Sequence, residues 1–240
     1  MMNKTELKEV AWIGDASVQQ PIRGVILSFH GLGSPDLRTE PNDEELNWAK
    51  NGFLVVFPYY GPWSWMNRQS REFVDDLVVS VYEVYGLSAD IPLLTYGGSM
   101  GGFSALLYTR YAKPKVSGCV AICPVCDLKA HFHERPDLPR TIHHAFLGYK
   151  EDLESLFREH SPVCQVAAMP RIPYFIIHIV GDPAVNKGLH SDKLVAEMKK
   201  QGFDVTYLEV PGTGHCEPVP DEVQNAKTQF ILNYIGARKS

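Results

Sequence analysis

Ser99, Asp182 and His215 are the side chains of this sequence whose types and spacing best suit chemistry. Ser99 lies in Gly97-Gly98-Ser99-Met100-Gly101, a G-x-S-x-G pattern after a short apolar run and before a stretch of helix formers. On a sharp strand-to-helix turn a serine is held in a strained backbone conformation with its hydroxyl pushed outward. The residues two before and two after it must be small, because their backbones approach neighbouring elements closely. A serine hydroxyl is a poor nucleophile at neutral pH; it needs a base to take its proton and a third group to orient that base. His215, in the glycine loop Gly212-Thr213-Gly214-His215, supplies a base. Asp182, in Gly181-Asp182-Pro183, supplies an acid, and Asp127 is its rival because it too follows an apolar run.

The elements that must position these groups are legible as alternating patterns. Apolar runs at 24–29, 53–57, 91–96, 116–122, 174–180 and 205–210 read as buried strands. Helical spacing appears at 73–85, 100–111, 189–200 and 223–235. Strands alternating with helices predict a mostly parallel central sheet with helices on both faces. Residues 7–23 are expected to add an antiparallel edge pair. Ser99, Asp182 and His215 each follow a strand, so all three fall at one edge of the sheet. The stretch 123–172 breaks the alternation. It carries five prolines and two short helical segments, at 141–146 and 151–160, and is too long for a simple crossover. It is expected to form a small cap, inserted after the sixth strand over the carboxyl ends of the strands, within a single domain of residues 1–240.

Composition narrows the classes. The 240 residues are 45% hydrophobic and 21% charged, ordinary for one globular core, and the formal net charge of −5 argues against nucleic acid, for which a basic face is expected. No run approaches the roughly 18 apolar residues of a membrane span. The opening residues are polar and lack the apolar core of a secretory signal, and the five cysteines are an odd number, so free thiols and a cytoplasmic location are expected. Cys123-Pro-Val-Cys126 is a C-x-x-C without a second cleanly spaced ligand pair; buried apolar thiols are expected, and no metal or cofactor.

The order Ser, Asp, His and the motifs His30-Gly-Leu-Gly33, Gly97–Gly102, Asp182 and Gly214-His215 together resemble the α/β-hydrolase superfamily. More narrowly, the chain is similar to the dienelactone-hydrolase and prolyl-oligopeptidase-like branch, with serine where a dienelactone hydrolase has cysteine. The resemblance implies an α/β-hydrolase fold and a serine hydrolase in which Ser99 attacks an acyl carbonyl, His215 shuttles the proton and Asp182 orients His215. It also implies an oxyanion hole from the backbone N–H groups of Leu32 and Met100, donors worth roughly 3–4 kcal/mol each. The aromatic loop after the second predicted core strand brings Tyr60, Trp63 and Trp65 forward as substrate-binding residues, with Tyr60 placed like a hydroxyl donor to the oxyanion. His131, His133, Arg135, Arg140, His143 and His144 of the cap either meet a polar part of a substrate or form an internally bonded face. The expected substrate is a small carboxylic ester, with a short peptide or amide as the alternative and a non-catalytic binding protein as the third reading; a homodimer is left open.

Overall fold

The computed structural model describes residues 2–33 and 37–236. Among them, seven strands form one sheet: β1 (Ala11–Ile13), β2 (Gly24–Phe29), β3 (Phe53–Pro58), β4 (Leu93–Gly98), β5 (Val116–Ile122), β6 (Tyr174–Ile179) and β7 (Val205–Val210), in the order β1-β3-β2-β4-β5-β6-β7. All neighbours are parallel except β1, which runs antiparallel to β3. The inner strands are continuous in Val, Ile, Leu and Phe because helices cover both of their faces, and every residue of β2 and β6 is buried.

One face carries α3 (Arg68–Val84), α4 (Met100–Tyr111) and α9 (Ser191–Lys200), whose Val74, Leu77, Phe103, Leu107, Leu194 and Met198 join the larger core. The other carries α2 (Asp43–Lys50) and α10 (Asp221–Gly236), through Trp48, Ile231 and Ile235. Ten of the twelve residues of α4 are buried, because the helix is sandwiched between the sheet and the inserted segment. That explains why its sequence is apolar nearly all round rather than along one stripe.

Before β1 the chain forms helix α1 (Lys4–Val10), and a single edge strand stands where an antiparallel pair was expected. The insertion therefore follows the fifth strand of the described sheet. It folds as α5 (Leu128–Phe132), α6 (Leu138–Ala145), α7 (Leu153–His160), α8 (Pro162–Gln165) and a 3₁₀ turn at Val166–Ala168. No helix among the described residues is long and apolar enough to cross a membrane.

The chain passes from β2 outward to β3 and then returns to place β4 on the other side of β2. This reversal makes the carboxyl ends of β2 and β4 a topological switch point, where an open α/β sheet leaves a crevice. Phe29 of β2 pairs with Gly97 of β4, so the loop beginning at His30 and the turn at Ser99 open side by side.

Candidate active site

Ser99 joins β4 to α4 with φ 58° and ψ −124°. A non-glycine residue reaches this region only when its surroundings over-determine it. The surroundings are visible. The Ser99 N–H donates to the carbonyl of Ile122 on β5 at 2.8 Å. A Cβ on Gly101 would stand 2.3 Å from the carbonyl oxygen of Phe29, and one on Gly97 would stand 2.4 Å from the backbone of Gly101. Glycine at −2 and +2 is thus a packing requirement of the crossing between β2, β4 and α4.

Asp182 follows β6 and is fixed by its own turn. Its Oδ1 accepts the N–H groups of Ala184 (2.8 Å) and Val185 (3.0 Å). Its Oδ2 accepts from His215 Nδ1 at 2.6 Å. Burial alone would raise the Asp182 carboxyl, but His215 and these two amides outweigh it and hold the pKa below the ordinary carboxylate value. The Asp182 side chain has no solvent exposure, whereas a quarter of that of His215 is exposed. The imidazole thereby has Nδ1 tied to Asp182, while Cys216 Sγ approaches the other nitrogen, Nε2, to 3.9 Å. Asp127 does something else: it caps α5 by accepting the N–H of Ala130 and lies 3.5 Å from Lys193 Nζ.

A cavity of about 480 Å³ opens over Ser99. Its walls include His215, Leu32, Met100 and Trp65, together with His131, Arg135 and Val185. Met100 is the first residue of α4, so its N–H belongs to the unpaired, positively polarised end of a helix. Trp65 borders the cavity as a fully buried side chain, its indole N–H held by Thr141. Tyr60 and Trp63 are placed elsewhere. They line a second cavity of about 470 Å³ bounded by Asn67, His144 and Tyr149. The Tyr60 hydroxyl lies 3.2 Å from both the His30 carbonyl and Ser104 Oγ, and its ring stacks on His30. The cysteines of the C-x-x-C part company. Cys123 lies with Cys216 and His215 in one cluster, while Cys126 leans on the Pro124 carbonyl. Sequence reasoning did not single out Glu134, Val185, His190 or Cys216. The His131-x-x-Glu134 spacing was a usable signal for the first, and Val185 and Cys216 sit beside Asp182 and His215 in the sequence, whereas His190 reaches the site only through tertiary packing.

A family model described as the prolyl oligopeptidase family matches residues 88–238, more than half of the chain, a span that includes Ser99, Asp182 and His215. The chain belongs to the prolyl oligopeptidase family. Its fold is that of the α/β-hydrolases. No curated protein matches by sequence. Among solved structures it is similar to a puromycin-hydrolysing peptidase of Mycobacterium tuberculosis (16% identity, TM-score 0.70, covering 91% of this chain and 34% of that one). It is also similar to an acylaminoacyl peptidase of Pyrococcus horikoshii (12%, TM-score 0.74, 94% and 39%) and to esterase B of Lactobacillus rhamnosis (14%, TM-score 0.68, 90% and 76%). The chain thus spans little more than a third of the two peptidases and about three quarters of the esterase. At these identities the likeness is one of fold.

Proposed function

We propose that Ser99, His215 and Asp182 act as a triad that hydrolyses a small carboxylic ester through an acyl-enzyme. The observation that carries this reading is the 2.6 Å bond from His215 Nδ1 to a fully buried Asp182, in a cavity shared with a strained Ser99. In that arrangement Nδ1 keeps its proton, so Nε2 has a lone pair for the Ser99 hydroxyl. Ser99 Oγ attacks the carbonyl carbon as its proton passes to His215. The oxyanion that forms is received by the N–H groups of Leu32 and Met100. His215 returns the proton to the leaving oxygen, and a water repeats the sequence on the acyl-enzyme. Asp182 stays ionised throughout, stabilising the imidazolium. No cofactor enters these steps.

The same groups suit an amide, and the family match favours a peptidase or amidase as the second reading. Activity-based labelling tests the shared chemistry. A fluorophosphonate should label the wild type at Ser99 and leave Ser99→Ala unlabelled, with ester turnover falling by roughly 10⁶-fold in that variant. A folded Ser99→Ala that still turns over ester at the wild-type rate would remove the proposal. A chain-length series of p-nitrophenyl esters, run beside prolyl and alanyl anilides, ranks ester against amide.

A further inference from the structure

A second carboxylate–histidine pair faces the same cavity from the cap, and the triad does not use it. His131 on α5 is 3% exposed and lines the cavity over Ser99. Its Nδ1 is 2.5 Å from Glu134 Oε2. The same carboxylate oxygen lies 2.9 Å from His190 Nε2, and the other oxygen accepts the N–H of Asn186. These contacts fix the protons. His190 Nδ1 accepts the backbone N–H groups of Cys126 and Asp127, each at 3.1 Å, so it carries no proton and the His190 proton is on Nε2, donated to Glu134. A metal ion at His131, Glu134 and His190 would need a bare His190 Nε2. The proton would then have to sit on Nδ1, against two N–H donors, so these three residues are not a metal site.

Glu134 is acceptor-only when ionised, so His131 must donate to it from Nδ1. Nε2 of His131 is left with a lone pair and has no partner among the described residues. Among the described residues the sealed side-chain atoms without a partner are Trp48 Nε1, Arg71 Nε, Arg110 Nε and Tyr234 Oη, and His131 Nε2 is not one of them. With Nδ1 turned to Glu134, Nε2 is the ring nitrogen left to meet what enters the cavity that His131 lines. Burial, opposed by Glu134, holds the His131 pKa below the ordinary histidine value and keeps the ring neutral at neutral pH.

We infer that His131 Nε2 is a hydrogen-bond acceptor for an N–H on the acyl part of the substrate, so that the preferred substrates are acylamino esters or amides rather than plain alkyl esters. This rests on the serine-hydrolase reading and narrows it. Glu134 is the positioning residue, because it sets the tautomer. An aliphatic acyl chain would leave the buried lone pair unpaired, a cost that discriminates between substrates.

The test uses two p-nitrophenyl esters of nearly equal shape, that of N-acetylglycine and that of acetoxyacetic acid, in which oxygen replaces the N–H. Each kcat/KM is normalised to the uncatalysed rate. The wild type should favour the N–H ester by about tenfold or more. His131→Leu should bring the ratio to about one, and His131→Gln, whose amide oxygen reaches the same place, should keep part of it. Ring nitrogen NMR of His131 should show Nδ1 protonated and Nε2 bare. A wild-type ratio of one, a ratio unmoved in His131→Leu, or the opposite tautomer would overturn the inference while leaving the triad untouched. Absence of both ester turnover and fluorophosphonate labelling in the wild type would instead bring down the hydrolase reading, and this inference with it.

Discussion

Asp182 and Asp127 are alike in the sequence, each an aspartate just past a buried strand, and only the histidine chooses between them. Asp182 is bonded to His215 and to two amides of its own turn, while Asp127 caps helix α5 of the insertion. Two predictions follow from that division. Asp182→Asn should lower kcat by about 10⁴-fold, because an amide at Oδ2 would favour the wrong imidazole tautomer. Asp127→Asn should leave turnover near the wild-type rate, since asparagine caps a helix as well as aspartate does. Steady-state assays of the two variants check both, and a collapse confined to Asp127→Asn would reverse the assignment. The settings of Ser99, Asp182 and His215 were legible because each lies in a glycine-flanked turn or loop after a strand. The partition of the aromatic loop was not. Trp65 borders the cavity over Ser99 while Tyr60 and Trp63 line another, and no periodicity distinguishes three aromatics within six residues.

Between residue and fold, the elements show which sequence signals were strong. The inner strands and α4 were readable from unbroken apolar runs. Helices α1 and α2 were not, because each buries few apolar side chains. Their signal was instead the capping box, Asn3 with Glu6 and Asn42 with Glu45, with asparagine in place of serine or threonine. At the tightest crossing, Gly101→Ala should shift β2 against α4 and destabilise the fold, by about 2 kcal/mol or more on the scale of core overpacking. Urea unfolding measures it, and a wild-type midpoint would contradict the crossing described. The cap carries its own acid sensitivity. His160, at the end of α7, donates from Nδ1 to the Leu156 carbonyl and accepts from Arg71 of α3 at Nε2. Burial and the Arg71 charge, opposed by Glu159, lower its pKa to about 4. Between that value and the ordinary 6.5 the unfolded chain binds the proton and the folded one does not. Its contribution is therefore fully present above pH 6.5 and lost as pH falls towards 4, about 3 kcal/mol in all. His160→Phe should flatten the dependence of the unfolding midpoint on pH in that window; an unchanged slope would assign the acid sensitivity to other buried histidines.

Across the whole molecule, the sheet joins parts that are far apart in sequence. On the face away from the cap, Lys227 of α10 is almost wholly buried and lies 2.8 Å from Glu44 of α2, whose other oxygen accepts from Tyr96 of β4. Removing one partner of a buried pair leaves a charge uncompensated, so Lys227→Met should cost about 3 kcal/mol, and adding Glu44→Gln should recover part of it. Denaturant titration of the single and double variants checks this. The absence of a strand between β5 and β6 was legible from the length of that stretch, but its interior was not: His131, Glu134 and His190 meet across 56 residues, and such pairing leaves no local trace. The same distances bear on how the molecule is made. The turn at Ser99 emerges from a ribosome 116 residues ahead of His215, about ten seconds at ordinary rates of synthesis. Through that interval a nascent chain can complete the strained turn between β4 and α4 yet has no base for it. Under the triad proposed above, the growing chain carries a hydroxyl that stays unreactive until the loop after β7, in the last eighth of these 240 residues, has been translated and docked.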